Sequence, residues 1–157
     1  MQGITPCLWF DTQAEEAVRF YTSTIKGSKM GAIAYYGEGA PMPAGSVLTV
    51  RFELQGQEFI ALNGGPMFKF SPAVSFILNC DTQEEVDELW EKLSEGGEIE
   101  QCGWFRDKYG ISWQVVPVVV AKMMQDTDRE RSNRVMQAIL QMKKLDIATL
   151  EAAYRGV

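Results

Sequence analysis

The chain contains an internal repeat with a period of 70 residues. The sequence FDTQAEE at residues 10–16 returns as CDTQEE at residues 80–85. An apolar run precedes each copy, a helical pattern follows it, and a glycine closes each segment, at Gly27 and Gly96. Repetition with this period indicates two copies of one supersecondary unit, which we expect to share a sheet or a cleft.

Hydrophobic periodicity predicts the same order of elements in both copies, a strand, a helix and three further strands. The predicted bounds are 4–10, 12–26, 30–36, 47–54 and 58–63 in the first copy, and 73–80, 82–94, 98–102, 103–106 and 111–116 in the second. Thr12 with Glu15, and Thr82 with Glu85, have the spacing of a capping box at each helix start. The predicted fold class is therefore α+β, with two tandem βαβββ units.

Beyond Pro117 the pattern changes to helix. An apolar stripe over residues 132–144 predicts one helix, and Asp146 is placed to cap a last helix. This C-terminal helical extension is too small to fold alone, so we expect it to pack on the domain or on a second subunit. The predicted organisation is a single domain, 1–157, made of unit one at 1–65, unit two at 73–117 and a helical tail at 118–157.

Composition and charge exclude several classes of partner. A net charge of −6 and a pI near 4.7 argue against nucleic-acid or anionic-membrane surfaces, which need clustered Lys and Arg. No apolar stretch approaches the roughly 20 residues of a membrane helix, and the first residues lack the pattern of a signal peptide. Three cysteines without CxxC spacing suggest reduced thiols in a cytoplasmic protein.

The chain has no histidine, so it lacks the side chain that most often acts as an acid or base near neutral pH. The alternative bases are Glu53, close to Arg51 on the polar side of its strand, and Asp107. A solvated ion pair is the more ordinary role for Arg51 and Glu53, and turn formation is the more ordinary role for Asp107. Cys7 is a candidate nucleophile without an activating neighbour, so a buried structural role is favoured.

Three stretches carry a resemblance to a known family. They are LWFD at 8–11 leading into EEAVRFY at 15–21, CGWFRDKYGISWQVVP at 102–117, and the tail segments RVMQA at 134–138 and MKKLDI at 142–147. Together with the tandem βαβββ order, they resemble the vicinal-oxygen-chelate superfamily of glyoxalases, extradiol dioxygenases and bleomycin-resistance proteins. The chain is similar to its PhnB-like subgroup, often labelled 3-demethylubiquinone-9 3-methyltransferase. The resemblance implies a cup-shaped mixed sheet, with half of the cup from each unit.

In that superfamily the metal ligands, usually His, Glu or Gln, come from the first and last strands of each unit. The resemblance puts first-strand positions at Thr5 and Ser75 and a last-strand position at Gln114. The fourth position falls at Ala61, or at Asn63 if the register slips by two residues. This set does not suit Zn²⁺, Fe²⁺ or Ni²⁺. No glycine-rich loop follows the first strand to cradle a nucleotide, so we expect neither metal nor cofactor.

Aromatic residues lie near the strands and the linker that are expected to line the cup. Such a pocket suits a flat, partly apolar small molecule, although an aromatic on a strand is more often part of the core. Strand alternation predicts that Ser112 and Gln114 face the cup while Trp113 packs behind. The candidate ligand-binding residues are Thr5, Cys7, Trp9, Arg51, Asn63, Phe68, Phe70, Ser75, Trp104, Ser112 and Gln114.

The predicted function is metal-independent binding of a small molecule, of the glyoxalase/bleomycin-resistance type, by a homodimer. The alternative is a metal-dependent lyase, isomerase or dioxygenase with an unusual ligand set such as Cys7, Glu53 and Gln114. A third hypothesis is a non-catalytic interaction protein whose helical tail binds a partner. The loop at residues 37–46, rich in Gly and Pro, is predicted to be mobile and to cover the cup or reach a partner subunit.

Overall fold

The computed structural model describes all 157 residues, which fall into two compact units, Met1–Phe70 and Ser71–Val157. Unit 1 contains one helix and four strands. In chain order they are β1 (Cys7–Phe10), α1 (Ala14–Thr24), β2 (Ser28–Tyr35), β3 (Val47–Leu54) and β4 (Gln57–Asn63). The sheet order is β1-β4-β3-β2, with β1 parallel to β4 and the other neighbours antiparallel.

Strand alternation decides which side of this sheet is buried. Along β3 the apolar residues Val50, Phe52 and Leu54 are buried under α1, whereas Arg51 is exposed on the other side. This confirms the alternation expected from the sequence. Sheets with one covered and one accessible face are usual when the strands are largely antiparallel.

The start of α1 differs from the sequence-based expectation. The helix begins at Ala14, and the capping residue is Gln13, whose side chain makes no capping hydrogen bond. The prediction of Thr12 as the cap is therefore wrong. The first helical N–H group instead donates to Oδ1 of Asn63 at 2.9 Å, and the amide of Asn63 donates to the carbonyl of Val47 at 3.1 Å. The end of β4 thus caps the helix from a distance of 49 residues in sequence.

Unit 2 repeats this architecture. Its sheet and first helix comprise β5 (Ser75–Cys80), α2 (Gln83–Ser94), β6 (Glu98–Ile99), β7 (Trp104–Arg106) and β8 (Ser112–Pro117). The strand order β5-β8-β7-β6 is equivalent to that of unit 1. Here the capping box is confirmed, since Glu85 N–H donates to Thr82 Oγ1 at 3.2 Å and Asp81 N–H donates to the Glu85 carboxylate at 3.0 Å. Both predicted βαβββ units are present.

The helical tail belongs to unit 2 and contains α3 (Val118–Met124), α4 (Arg129–Ile139) and α5 (Ile147–Arg155). The predicted cap of α5 is confirmed, because the Asp146 carboxylate accepts from Thr149 N–H at 2.9 Å. The predicted helix at 132–144 lies further towards the N-terminus, since Asp128 caps α4 and the helix ends at Ile139. Helix α3 lies in the tail that was predicted to be helical, although no separate helix was delimited there. No helix of the protein combines the length and the apolar character needed to cross a membrane.

Candidate functional site

Each sheet has a face covered by helices and an opposite face, which we call its open face. The open face of unit 1 carries alternate residues of its strands. They are Cys7 and Trp9 on β1, Thr49, Arg51 and Glu53 on β3, and Glu58, Ile60 and Leu62 on β4. Several of the residues predicted to bind a ligand therefore share this surface.

Trp9 is held rigidly on the open face of unit 1. Its indole N–H donates to the carbonyl of Gly65 at 2.9 Å, and the ring of Phe68 meets it edge to face with centroids 5.0 Å apart. Gly64 lies against the indole so closely that a Cβ there would come within 2.4 Å of the ring. The linker after β4 thus fixes an aromatic wall, of which Phe68 is 59% exposed.

The charged residues of this face form cross-strand ion pairs. Arg51 pairs with Glu58 at 2.7 Å, and Glu53 lies 3.8 Å from the ammonium of Lys29. Arg51 and Glu53 therefore have separate partners, and all four side chains are substantially exposed. This arrangement agrees with the ordinary interpretation of solvated ion pairs and offers no buried carboxylate that could act as a base.

Cys7 is exposed on the open face, opposite Ile60 of β4, so the buried role favoured from the sequence is wrong. Partial burial of its sulfur raises the pKa of the Cys7 thiol, so less thiolate forms near neutral pH. Cys80 is buried on the covered face of unit 2, where burial, followed by the charges of Glu85 and Asp81, raises its pKa to about 11. Neither thiol is activated as a nucleophile.

We expect thiol reagents to distinguish these cysteines. At pH 8 in the folded protein, Cys7 should be modified first and Cys80 only after denaturation, as followed by mass spectrometry of the labelled peptides. Because the folded pKa of Cys80 exceeds the unfolded value, its contribution to stability is fully present below about pH 9 and lost as pH rises towards about 11. The Cys80→Ala variant should lack this alkaline loss; rapid labelling of native Cys80 would contradict the assignment.

The open face of unit 2 carries two adjacent rows of side chains across its strands. One row runs from Glu98 through Arg106 and Ser112 to Ser75, as the strand register requires. The next row runs from Glu100 through Trp104 and Gln114 to Ile77. The two rows are joined by a hydrogen bond of 2.9 Å from the Gln114 amide to Ser75 Oγ, and by ion pairs of Arg106 with Glu98 and Glu100.

Two predicted residues pack on the covered side, and a third lies outside the strands. Asn63 is buried on the covered face, where its amide caps α1, and Phe70 packs edge to face on the buried ring of Phe10 at 5.2 Å. Thr5 precedes β1 and is exposed. The position of Phe70 was missed because the sequence does not indicate on which side of the sheet the linker returns.

Asp107 is 3% exposed and organises a turn. Its Oδ1 accepts from the N–H groups of Tyr109 at 2.8 Å and Ile111 at 3.1 Å, while Oδ2 accepts from the indole of Trp113 at 2.9 Å. Trp113 is buried on the covered face, as alternation predicts. Because both carboxylate oxygens are engaged by donors of the fold, Asp107 acts as the turn-forming residue and is not available as a base.

The strand registers identify the position in unit 1 that is equivalent to Gln114. Gln114 of β8 pairs with Ile77 of β5, and the matching pair in unit 1 is Ile60 with Cys7. The assignment to Ala61 or Asn63 is therefore wrong, since both side chains are buried on the covered face. Pro117 ends β8 and Asn63 ends β4. Counting back from Asn63 by the distance that separates Gln114 from Pro117 leads to Ile60, the correct residue.

The four positions equivalent to the superfamily's metal ligands are thus Thr5, Ile60, Ser75 and Gln114. A hydroxyl, an alkyl group, a second hydroxyl and an amide do not form a donor set for a divalent transition metal. No three His, Cys, Asp or Glu side chains converge elsewhere on the protein into a group that could hold a metal ion. These residues do not fit the metal of the superfamily.

A nucleotide-type methyl donor does not fit either. Such cofactors bind where a glycine-rich loop joins a first strand to a helix whose N-terminal N–H groups are available. Here residues 11–13 join β1 to α1 without a glycine, and the first helical N–H group is already bonded to Asn63. No step of a methyl transfer can be derived from this arrangement.

Comparison with known proteins identifies the family. A family model described as 3-demethylubiquinone-9 3-methyltransferase matches residues 2–116. The chain belongs to this family. The solved structure of a PhnB protein from Bacillus cereus is 38% identical, with a TM-score of 0.69 over 74% of this chain and 100% of its own. The tandem βαβββ fold expected from the resemblance to the superfamily is confirmed.

Two further structures share the fold. Protein PA1353 from Pseudomonas aeruginosa is 24% identical, with a TM-score of 0.62 over 74% of this chain and 98% of its own. Protein SA1046 from S. aureus is 20% identical, with a TM-score of 0.50 over 73% of this chain and 92% of its own. A comparison with curated proteins found no match.

Proposed function

We propose that this member of the 3-demethylubiquinone-9 3-methyltransferase family binds a small molecule without a metal ion. The observation that carries this proposal is the chemistry of the four ligand-equivalent positions, Thr5, Ile60, Ser75 and Gln114. In unit 2 the two positions bond to each other, amide to hydroxyl, at 2.9 Å. Neutral groups paired in this way bind polar ligands by hydrogen bonding and have little affinity for a divalent cation.

The ligand we propose is flat and partly apolar. The rigid indole of Trp9 with Phe68 offers an aromatic wall, and the open face of unit 2 offers Trp104 beside polar groups. Each of these two surfaces combines aromatic area with a few polar groups, a composition that orients a ligand by few polar contacts and binds it through apolar area. The proposed contact residues are Thr5, Cys7, Trp9, Arg51, Phe68, Ser75, Trp104, Ser112 and Gln114. Asn63 and Phe70 are left out, because both side chains pack on the covered side.

The alternative metal-dependent enzyme has no comparable support. Cys7 and Glu53 lie on strands that are separated by β4 and in different cross-strand rows, and Glu53 is next to Lys29. A homodimer in the cytoplasm is also part of the proposal. The homodimer is supported by large apolar side chains that are exposed on each unit, Ile4 before β1 in unit 1, and Val74 before β5 and Ile77 on β5 in unit 2.

The test is calorimetric titration of metal-stripped protein with Zn²⁺, Ni²⁺, Fe²⁺ and Mn²⁺. We expect no binding at micromolar concentration, because the donor set lacks imidazole and carboxylate. One-to-one binding at micromolar affinity or tighter would refute metal independence. A matched control is the double variant Ser75→His with Gln114→Glu, which places two metal ligands at side chains that already contact each other. A heat of metal binding in this variant, and none in the wild type, would show that the titration detects a pair of metal ligands at this position.

A further inference from the structure

The open face of unit 1 holds Trp9 in place with a glycine that the backbone does not require. Gly64 has no positive φ, so its backbone conformation is open to other residue types. A Cβ at this position would nevertheless lie 2.4, 2.5 and 2.6 Å from three atoms of the indole ring. Three nearly equal distances place Gly64 against the ring face, because an approach in the plane of the ring brings only one atom so close. Gly64 is therefore needed to position Trp9.

Trp9 and Phe68 form a corner of two aromatic rings. Their planes are inclined at 78° with centroids 5.0 Å apart, and Phe68 is 59% exposed. A flat ring that stacks on one of them presents its edge to the other, and both arrangements are favourable for aromatic pairs. Because Gly64 and the bond to the Gly65 carbonyl already fix the indole, a ligand does not have to order it on binding.

The strand register places an apolar side chain and a hydroxyl beside this corner. Trp9 of β1 pairs with Leu62 of β4, and Leu62 pairs with Thr49 of β3. All three side chains are partly exposed. Neighbouring strands lie about 4.8 Å apart, so Thr49 is about 10 Å from Trp9 across the sheet. The Thr49 hydroxyl has no hydrogen-bond partner in the protein, and it can donate or accept.

The charged groups of this face compensate one another. Arg51 pairs with Glu58 at 2.7 Å, and Lys29 lies 3.8 Å from Glu53, so the four charges sum to zero. None of them belongs to the row that begins at Trp9. A charged ligand in that row would lose hydration without gaining a partner of opposite charge. The electrostatics of the face therefore match an uncharged ligand.

We infer that the open face of unit 1 is a binding subsite for an uncharged aromatic ring system that carries one neutral hydrogen-bonding substituent, such as a hydroxyl or a carbonyl. The ring stacks in the corner of Trp9 and Phe68 and extends over Leu62. Its substituent bonds to the Thr49 hydroxyl. Gly64 is a positioning residue for Trp9. This inference rests on the proposed function and adds to it the chemical class of the ligand and the unit that binds it.

The test uses 2-naphthol and two analogues of the same skeleton, the charged 2-naphthoate and the saturated decahydro-2-naphthol. Binding is followed by the indole N–H signals in ¹H–¹⁵N NMR spectra. The chain has four tryptophans, and the Trp9→Phe variant assigns the signal of interest. We expect 2-naphthol to shift the Trp9 signal, and to bind about tenfold more tightly than 2-naphthoate and about fivefold more tightly than decahydro-2-naphthol. A Trp9 signal unmoved up to the solubility limit of 2-naphthol, or equal binding of either analogue, would overturn the inference.

Two variants connect the effect to the named residues. Gly64→Ala should weaken 2-naphthol binding about tenfold and move the Trp9 signal even without ligand, because the added methyl group displaces the indole. Thr49→Val removes the hydroxyl at nearly constant shape and should weaken binding about fivefold. Thr127→Val, the same change at an exposed position in the tail, should leave binding unaltered.

Dispersion of the NMR spectrum verifies that each variant is folded, and Thr49→Val decides alone if Gly64→Ala does not fold. Unaltered binding in a folded Gly64→Ala or Thr49→Val variant, or a loss in Thr127→Val, contradicts the assignment. A shift of the Trp104 signal alone overturns this inference while keeping small-molecule binding. Metal binding by calorimetry refutes metal independence without affecting the aromatic subsite.

Discussion

Replacement of Asp107 by alanine is expected to destabilise the protein by about 3–5 kcal/mol. The carboxylate accepts two backbone N–H groups and the indole N–H of Trp113, all from donors in a buried turn. Removing it leaves these donors without partners, and an unsatisfied buried group costs about 1–3 kcal/mol. The loss should appear as a lower urea midpoint with an unchanged denaturant dependence.

Two further variants separate the turn from other roles of the residue. Asp107→Asn keeps one acceptor oxygen and should lose roughly half as much stability. Adding Trp113→Phe to Asp107→Ala removes the stranded indole N–H group, so the two losses should be less than additive. Glu53→Ala is the control, since this exposed carboxylate in a surface pair should change stability by less than about 1 kcal/mol. Wild-type stability of Asp107→Ala would refute the structural role.

Local patterns in the sequence predicted much of the fold. The repeat revealed two equivalent units, and the strict alternation at 47–54 gave both the strand and its buried side. The capping boxes show that local patterns do not always predict which residue caps a helix. The second box forms as the spacing predicts, but in the first unit Asn63 caps the helix in place of Thr12. The residues before each of the two helices allow a local cap. In unit 1, however, the end of β4 lies next to the start of α1, so Asn63 accepts from the first helical N–H group in place of a local side chain.

The candidate site depends on the same kind of long-range information. Which residue of β4 matches Gln114 follows from parallel pairing with β1, a register between residues more than 50 apart that no local pattern encodes. A one-residue error in that register moves the predicted side chain to the opposite face, which is why Ala61 was expected and Ile60 is found. The hydroxyl of Ser112, which is buried without a hydrogen-bond partner, likewise reflects its surroundings, since its residue type alone would suggest a satisfied one.

The tail raises a separate question, because the family match ends at residue 116, before the first tail helix. It is nonetheless attached to unit 2 by specific contacts. The N–H groups of Cys102 and Gly103 donate to the carbonyls of Met142 at 2.8 Å and Lys143 at 2.7 Å. The side chain of Gln83 bonds to the backbone on both sides of Asp146. These contacts favour a docked structural extension over a segment held ready for a partner.

Leu145→Ala is accordingly expected to destabilise unit 2 by about 2–5 kcal/mol. Leu145 is 2% exposed, in a cluster with Val120, Val135 and Leu150, and its side chain lies against Gly103, where an added Cβ would come within 3.1 Å. Truncation therefore opens a cavity at the junction between the tail and the sheet. Chemical unfolding measures the loss, and hydrogen exchange at the amides of 102 and 103 should accelerate as the junction loosens.

Leu140→Ala is the matched control, because the same residue type in the same tail is 49% exposed. It should change stability by less than about 1 kcal/mol and leave exchange at 102 and 103 unaltered. Equal effects of the two variants would mean that Leu145 is not the anchor. Unchanged stability in Leu145→Ala, with fast exchange already in the wild type, would instead describe a tail that is detached in solution and would restore the hypothesis that it binds a partner. A tail that packs on unit 2 contributes buried apolar area to that unit. Loosening the tail must therefore lower the free energy of unfolding of unit 2.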